Sequence, residues 1–161
     1  MELEKKEEHS TVIWEDLHHS ELNVKKLYAL LKLRCEVFIV EQNCPYLDVD
    51  GLDLIGENRH ILGWDENELV ACTRILKSAD GTRPVVIGRV IVSEAFRGEK
   101  LGQRLMEQTV ASCIKHWPDK AIYLGAQTRL QAFYARFGFT QVTDAYDEDG
   151  ISHIGMRREA N

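Results

Sequence analysis

The stretch Val90-Ile91-Val92-Ser93-Glu94-Ala95-Phe96-Arg97-Gly98-Glu99-Lys100-Leu101-Gly102-Gln103-Arg104-Leu105-Met106 carries the residue types best suited to holding an anion. An apolar run with strand character ends in a short loop, and the loop enters a segment with helical spacing. A junction of this kind presents unpaired main-chain N–H groups at the positive end of a helix dipole, which suits a phosphate. Arg97 and Lys100 add full charges, and Arg104 extends the basic cluster. Gly98 and Gly102 remove side chains where the backbone must come close to a ligand. A solvated helix start has the same composition, so the segment alone does not decide.

The elements that position this junction follow from periodicity. Residues 1 to 10 are nearly all charged or polar and are expected to form a frayed leader; a first strand is expected over Thr11 to Glu15. Ser20-Glu21-Leu22-Asn23-Val24 opens a long amphipathic helix with Leu27, Leu30, Leu31, Val37 and Phe38 on its apolar side, ending before Cys44-Pro45. Residues 43 to 58 mix Pro45, Gly51 and Gly56 with Asp48, Asp50, Asp53 and Glu57, the composition of an exposed loop. Two runs flanking Glu66-Asn67 predict a hairpin, and a turn at Ala79 to Thr82 leads into a third antiparallel strand through Val85 to Val92.

Leu101, Leu105, Met106, Thr109, Val110, Cys113, Ile114 and Trp117 recur at helical spacing until Pro118. Ala121 to Gly125 reads as a buried strand, Arg129 to Phe137 as a short helix closed by Gly138, and Ile151 to Met156 as a last strand. The order predicts one mixed α/β (α+β) domain over residues 11 to 158, with a largely antiparallel sheet.

Composition narrows the classes. A 161-residue chain with 44% hydrophobic residues can bury one core. The N-terminus is charged where a signal peptide is apolar, and no run reaches the length of a membrane span, so a cytoplasmic protein with no membrane partner is expected. The formal charge of −6 argues against nucleic acid as a partner. Cys35, Cys44, Cys72 and Cys113 form no CxxC pair and no metal-ligand spacing, so reduced thiols and no metal are expected.

Arg97-Gly98-Glu99-Lys100-Leu101-Gly102 resembles the (Q/R)xxGx(G/A) pyrophosphate loop of the GCN5-related N-acetyltransferase (GNAT) superfamily. Downstream, Leu130-Gln131-Ala132-Phe133-Tyr134-Ala135-Arg136-Phe137-Gly138-Phe139 resembles its second signature, an aromatic and a tyrosine on a short helix before Gly-Phe. Leu33 to Tyr46 and Asn58 to Gly63 are similar to the ElaA-like branch, and the likeness covers roughly residues 12 to 157. One departure is Lys100, which stands where the family usually has glycine; its side chain either crowds a diphosphate or pairs with it.

The resemblance implies a twisted sheet whose strand Val90, Ile91, Val92 splays from a parallel neighbour, with acetyl-coenzyme A as cosubstrate lying in the gap. It implies that Arg97, Gly98, Glu99, Lys100, Leu101 and Gly102 hold the diphosphate, that Gln127 and Phe133 adjoin the coenzyme, and that Tyr134 protonates the departing thiolate. The implied activity is direct acetyl transfer to an amine acceptor; the acidic loop suggests a cationic one, and a homodimer is expected from the family. The alternative is a catalytically silent acyl-CoA-binding sensor or scaffold. A lysine-like amine is uncharged at pH 7 only at a cost of about 4.6 kcal/mol, so a base is needed. Arg89 occupies the place on the strand where one could stand, and Glu41, Asp48, Asp50, Asp53, His60 and His153 remain open.

Overall fold

A computed structural model describes residues 11–98 and 100–161. The leader and Glu99 lie outside the described residues. Strand β1 (Ile13–His18) starts and ends later than its sequence pattern predicts. The expected long helix is three pieces: a 3-10 turn at His19–Glu21, helix α1 (Val24–Arg34) capped by the Asn23 side chain on the Lys26 N–H, and a π-helical segment Cys35–Glu41. Widening the turn re-aims the side chains that follow. The Gln42 N–H bonds the Val37 carbonyl at 3.0 Å, and Phe38, Glu41 and Gln42 are delivered to the rim of a cavity.

Strands β2 (Arg59–Asp65), β3 (Glu68–Leu76) and β4 (Val85–Val92) form the expected antiparallel meander. Helix α2 (Leu101–His116) crosses back, strand β5 (Ile122–Gln127) follows, and a 3-10 turn leads into helix α3 (Gln131–Ala135). Gly138 turns the chain at a φ of +88°, a conformation that costs glycine nothing. Two short strands escape the sequence pattern, β6 (Thr140–Gln141) and β7 (Tyr146–Glu148); both pair with the long last strand β8 (Ile151–Arg158). The sheet runs β1-β2-β3-β4-β5-β8-β6, and among the described residues its single parallel pairing is β4 with β5.

Helices cover both faces of the sheet, as strand alternation requires. On one face α2 and α3 bury Leu101, Leu105, Met106, Val110 and Tyr134 against Ile61, Ile87 and Leu124. On the other, Leu30, Leu33 and Val37 pack on Leu62, Cys72 and Ile91. Among the described residues no helix is long and apolar enough to cross a membrane.

Candidate functional site between the splayed strands

β4 pairs with β5 only from Val85↔Ile122 to Ile87↔Leu124; beyond these residues the two strands part. A bulge drives the separation. Between the pairs Cys72↔Ile91 and Arg74↔Gly88, β4 sets Arg89 and Val90 against Thr73 alone, and Arg89 takes a φ of +51°. An extra residue bends its strand and leaves main-chain groups unpaired. The Ser93 N–H bonds the Val70 carbonyl at 2.8 Å on the β3 side, so alternation turns the Val92 main-chain groups toward the gap. The gap opens into a cavity of about 660 Å³, a size suited to a cofactor-sized ligand.

Of the described residues expected to hold a diphosphate, Arg97 lines the cavity, while Gly98, Lys100, Leu101 and Gly102 stand outside its wall at the start of α2. Lys100, the residue before α2, adopts the left-handed conformation (φ +60°, ψ +15°) that glycine takes freely. Its side chain is exposed and does not cap the helix. Gly98 has a φ of +87°, and a Cβ on Gly102 would sit 3.7 Å from Phe133 Cζ, ordinary contact that alanine also meets. Leu101 is buried in the core and offers only its main chain. Arg97 Nε donates to the Val92 carbonyl at 3.0 Å, and its Nη1 and Nη2 reach Glu41 Oε2 and Oε1 at 2.6 and 3.0 Å. Arg104 leaves the basic cluster: its guanidinium lies over the Trp14 ring, 5.8 Å from the centroid.

Tyr134 and Gln127 line the cavity; Val90, Ile91 and Val92 form its β4 wall. Tyr134 is 6% exposed, and burial pushes its phenol up to about 12. Among the described residues nothing hydrogen-bonds its hydroxyl, which therefore remains a free donor toward the cavity. Phe133 lies behind this wall, edge-on to Tyr134 and Phe137 at 5.1 and 5.4 Å.

The loop over residues 43 to 58 differs most from its sequence reading. Asp48 and Asp53 are buried, and three arginines from three elements neutralise the loop acids. Arg34 reaches Asp48 and Asp53 at 2.9 and 2.6 Å; Arg74 grips Asp50 through two hydrogen bonds of 2.8 and 3.0 Å. Arg89 Nε sits 2.9 Å from Asp48 Oδ1, at ion-pair distance though not aligned as a hydrogen bond, and Arg89 Nη2 bonds the Asp48 carbonyl. Tyr46 donates to Asp48 Oδ1 at 2.5 Å beneath the Arg89 guanidinium.

Burial alone would raise the carboxyl of Asp50, but hydrogen bonds from Arg74 and the Leu52 N–H, with the charges of Arg74 and Arg89, hold it down at about 2. Asp53 is likewise held low by Arg34 and Arg74 against burial. These acids anchor the loop and make weak bases, so the acidic-loop ground for a cationic acceptor does not hold. His60 is 2% exposed, lowered chiefly by burial and bonded to the Asp53 carbonyl at 2.9 Å, which removes it from the cavity as well. His153 stays in the wall, facing Gln127 across β5 and β8.

The four cysteines are free thiols, with Cys72 and Cys113 buried and pushed up to about 12 by desolvation. Cys44 is the one in the cavity wall, and its Sγ contacts the Asp149 carbonyl at 3.6 Å. No spacing in the sequence marks that contact, which brings the loop against the β7–β8 turn.

The acetyltransferase (GNAT) domain model matches residues 50–160. Protein ElaA of Escherichia coli K12 is 69% identical over 146 residues, spanning 91% of this chain and 95% of that one. The crystal structure of Escherichia coli ElaA superposes with a TM-score of 0.90 at 67% identity, covering 92% of this chain and all of that one (100%). An acyl-CoA N-acyltransferase from Pseudomonas aeruginosa gives 0.89 at 50% identity, over 92% and 99% of the two chains. The chain therefore belongs to the GNAT acetyltransferase family and is an acyltransferase of that type.

Proposed function

We propose that the protein transfers the acetyl group of acetyl-coenzyme A directly to an amine, with no acyl-enzyme intermediate. The observation that carries this reading is the gap between β4 and β5, open beyond Ile87 and Leu124 and faced by Tyr134. A pantetheine arm is an extended amide chain, and a strand edge with free main-chain groups can bind it as a strand. The relative named as an acyl-CoA N-acyltransferase supports both the donor and the bond formed.

In this reading the N–H groups at the start of α2, which no capping side chain occupies, receive the diphosphate with Arg97 and the main chain of Gly98, Leu101 and Gly102. Lys100, exposed at the residue before α2, contributes charge. Gln127 adjoins the coenzyme from β5, while Phe133 acts from behind by fixing Gly102 and Tyr134.

The Val92 N–H polarises the thioester carbonyl. The amine nitrogen attacks the carbonyl carbon, the C–S bond breaks with its electron pair going to sulfur, and the Tyr134 hydroxyl hydrogen-bonds that sulfur. With the phenol at about 12 and an ordinary thiol near 8.5, Tyr134 stabilises the thiolate as a donor rather than surrendering its proton in the resting site. The cationic-acceptor reading now rests on Glu148 at the end of β7 and Asp149 in the turn after it, which line the cavity together with Arg129.

Calorimetry with acetyl-coenzyme A, followed by release of coenzyme A thiol against a panel of amines, tests the reading. Binding with amine-dependent release supports it. Binding with no release across primary amines, polyamines and lysine peptides would replace it with the silent sensor, and absence of binding would overturn both.

A further inference from the structure

The ionisable groups in the cavity wall sort themselves by what they already hold. Glu41 is committed to Arg97; Arg74 and Arg89 are committed to Asp50 and Asp48. Tyr46 donates to Asp48, and burial first, then that bond, pushes its phenol up. Tyr134 is a donor, and Arg129 has no proton to lose at working pH. Glu148, Asp149, Cys44 and His153 are left.

His153 is the one of these whose ring is fixed in a definite state. Its Nδ1 lies 2.8 Å from the Ile151 carbonyl, a partner that can only accept, so Nδ1 carries the hydrogen. In the neutral imidazole that assignment leaves the lone pair on Nε2. Glu148 Oε2 lies 3.3 Å from Nε2, placed to stabilise the ring once it takes up a proton. The Tyr146 ring stacks on the imidazole at 6.0 Å, and the His153 side chain is 12% exposed. Proton acceptor, orienting carbonyl and stabilising carboxylate thus form one constellation in the wall that also contains Tyr134.

We propose that His153 is the general base of the transfer: its Nε2 takes the proton from the acceptor's ammonium, R–NH3+, releasing R–NH2 to attack the acetyl carbon. The inference rests on the proposed acetyl transfer. The electron pair freed from the N–H bond forms the new N–C bond, the C–S pair leaves on sulfur, and the imidazolium returns its proton to solvent. The second amine proton, lost as the tetrahedral species collapses, supplies the thiol, so one proton is released per acetyl transferred. An imidazole is the side chain whose ordinary titration lies nearest neutrality, which suits a base at pH 7.

Glu148 is the charged group placed against the His153 ring; Asp149 of the same hairpin and Arg129 of the turn after β5 also line the cavity, and Gln127, opposite on β5, is neutral. Glu148 acts through His153 and is a positioning residue.

The test compares wild type, His153→Gln and Glu148→Gln across pH, using the best alkylamine acceptor from the panel and, separately, hydroxylamine, which is already neutral at pH 7. His153→Gln is expected to lose about 10²- to 10³-fold in kcat with the alkylamine at pH 7. That variant should recover as pH rises toward the amine's own titration, and should stay within about 3-fold of wild type with hydroxylamine. Glu148→Gln is expected to lose about 2- to 5-fold in kcat with the alkylamine, and less than that with hydroxylamine. Acetyl-coenzyme A affinity by calorimetry should be unchanged in both, which shows that they are folded. An unaltered profile in His153→Gln, or an equal loss with both acceptors, would overturn the assignment while leaving the transferase reading intact. A wild type that binds coenzyme but acetylates no amine would overturn both.

Discussion

Arg97 and Glu41 are joined by two parallel contacts of 2.6 and 3.0 Å, which tie the loop before α2 to the end of the π-helical segment. The pair is exposed enough for solvent to weaken it, and Arg97 is separately held by its Nε on the Val92 carbonyl. A diphosphate must compete with Glu41 for the same guanidinium. Glu41→Gln should therefore tighten coenzyme A binding by about 2- to 5-fold, the range of an exposed ion pair. Titration calorimetry of the variant checks this, and weaker binding would mean that Glu41 positions Arg97 instead of competing for it.

Lys100 holds a backbone conformation that an L-residue pays for. Lys100→Gly should raise stability by about 1 kcal/mol, or a rise in Tm of roughly 2–4 °C for a chain of this length. The same change removes one charge near the coenzyme, so binding should weaken and lose part of its salt dependence. Thermal melts and calorimetry at two salt concentrations separate the effects.

Arg34 is 1% exposed and bridges α1 to Asp48 and Asp53. Arg34→Met leaves two buried carboxylates short of a partner and should cost about 3–5 kcal/mol in urea unfolding. The pH dependence has a definite sign. The carboxyls of Asp50 and Asp53 are lower when folded than unfolded, so their contribution is fully present above about 4. It is lost as pH falls, for Asp50 through about 2. Wild-type stability should drop over that window, and Asp50→Asn should flatten the drop.

The sequence carried the fold well where a local pattern sets the structure. The stripe from Leu101 to Cys113, the Glu66-Asn67 hairpin and the strand–loop–helix junction between β4 and α2 all appear where the pattern places them. The splayed strands were expected from family likeness, and β4 and β5 do part beyond Ile87 and Leu124. The π-helical turn was not legible, because Cys35–Glu41 has the same apolar spacing as the helix it continues. The Arg89 bulge was hidden in an ordinary-looking strand run, since nothing local forces an arginine to positive φ.

The loop acids misled for a related reason. Asp48, Asp50 and Asp53 look solvated in the sequence, but their partners Arg34, Arg74 and Arg89 come from distant elements that only the fold brings together. The same holds for Arg104, whose position beside Arg97 in sequence gave no sign of the Trp14 ring beneath it.

Acetyl transfer through the gap is tested most directly by mass spectrometry of the acceptor panel after incubation with isotopically labelled acetyl-coenzyme A, wild type beside Tyr134→Phe. The expected result is an amine carrying the labelled acetyl group, formed about 10²-fold more slowly by the variant at unchanged coenzyme affinity. Because burial holds Tyr134 at about 12, the wild-type rate should show no loss from its ionisation up to about pH 10. Coenzyme binding without any acetylated amine, or a variant as fast as wild type, would contradict the account.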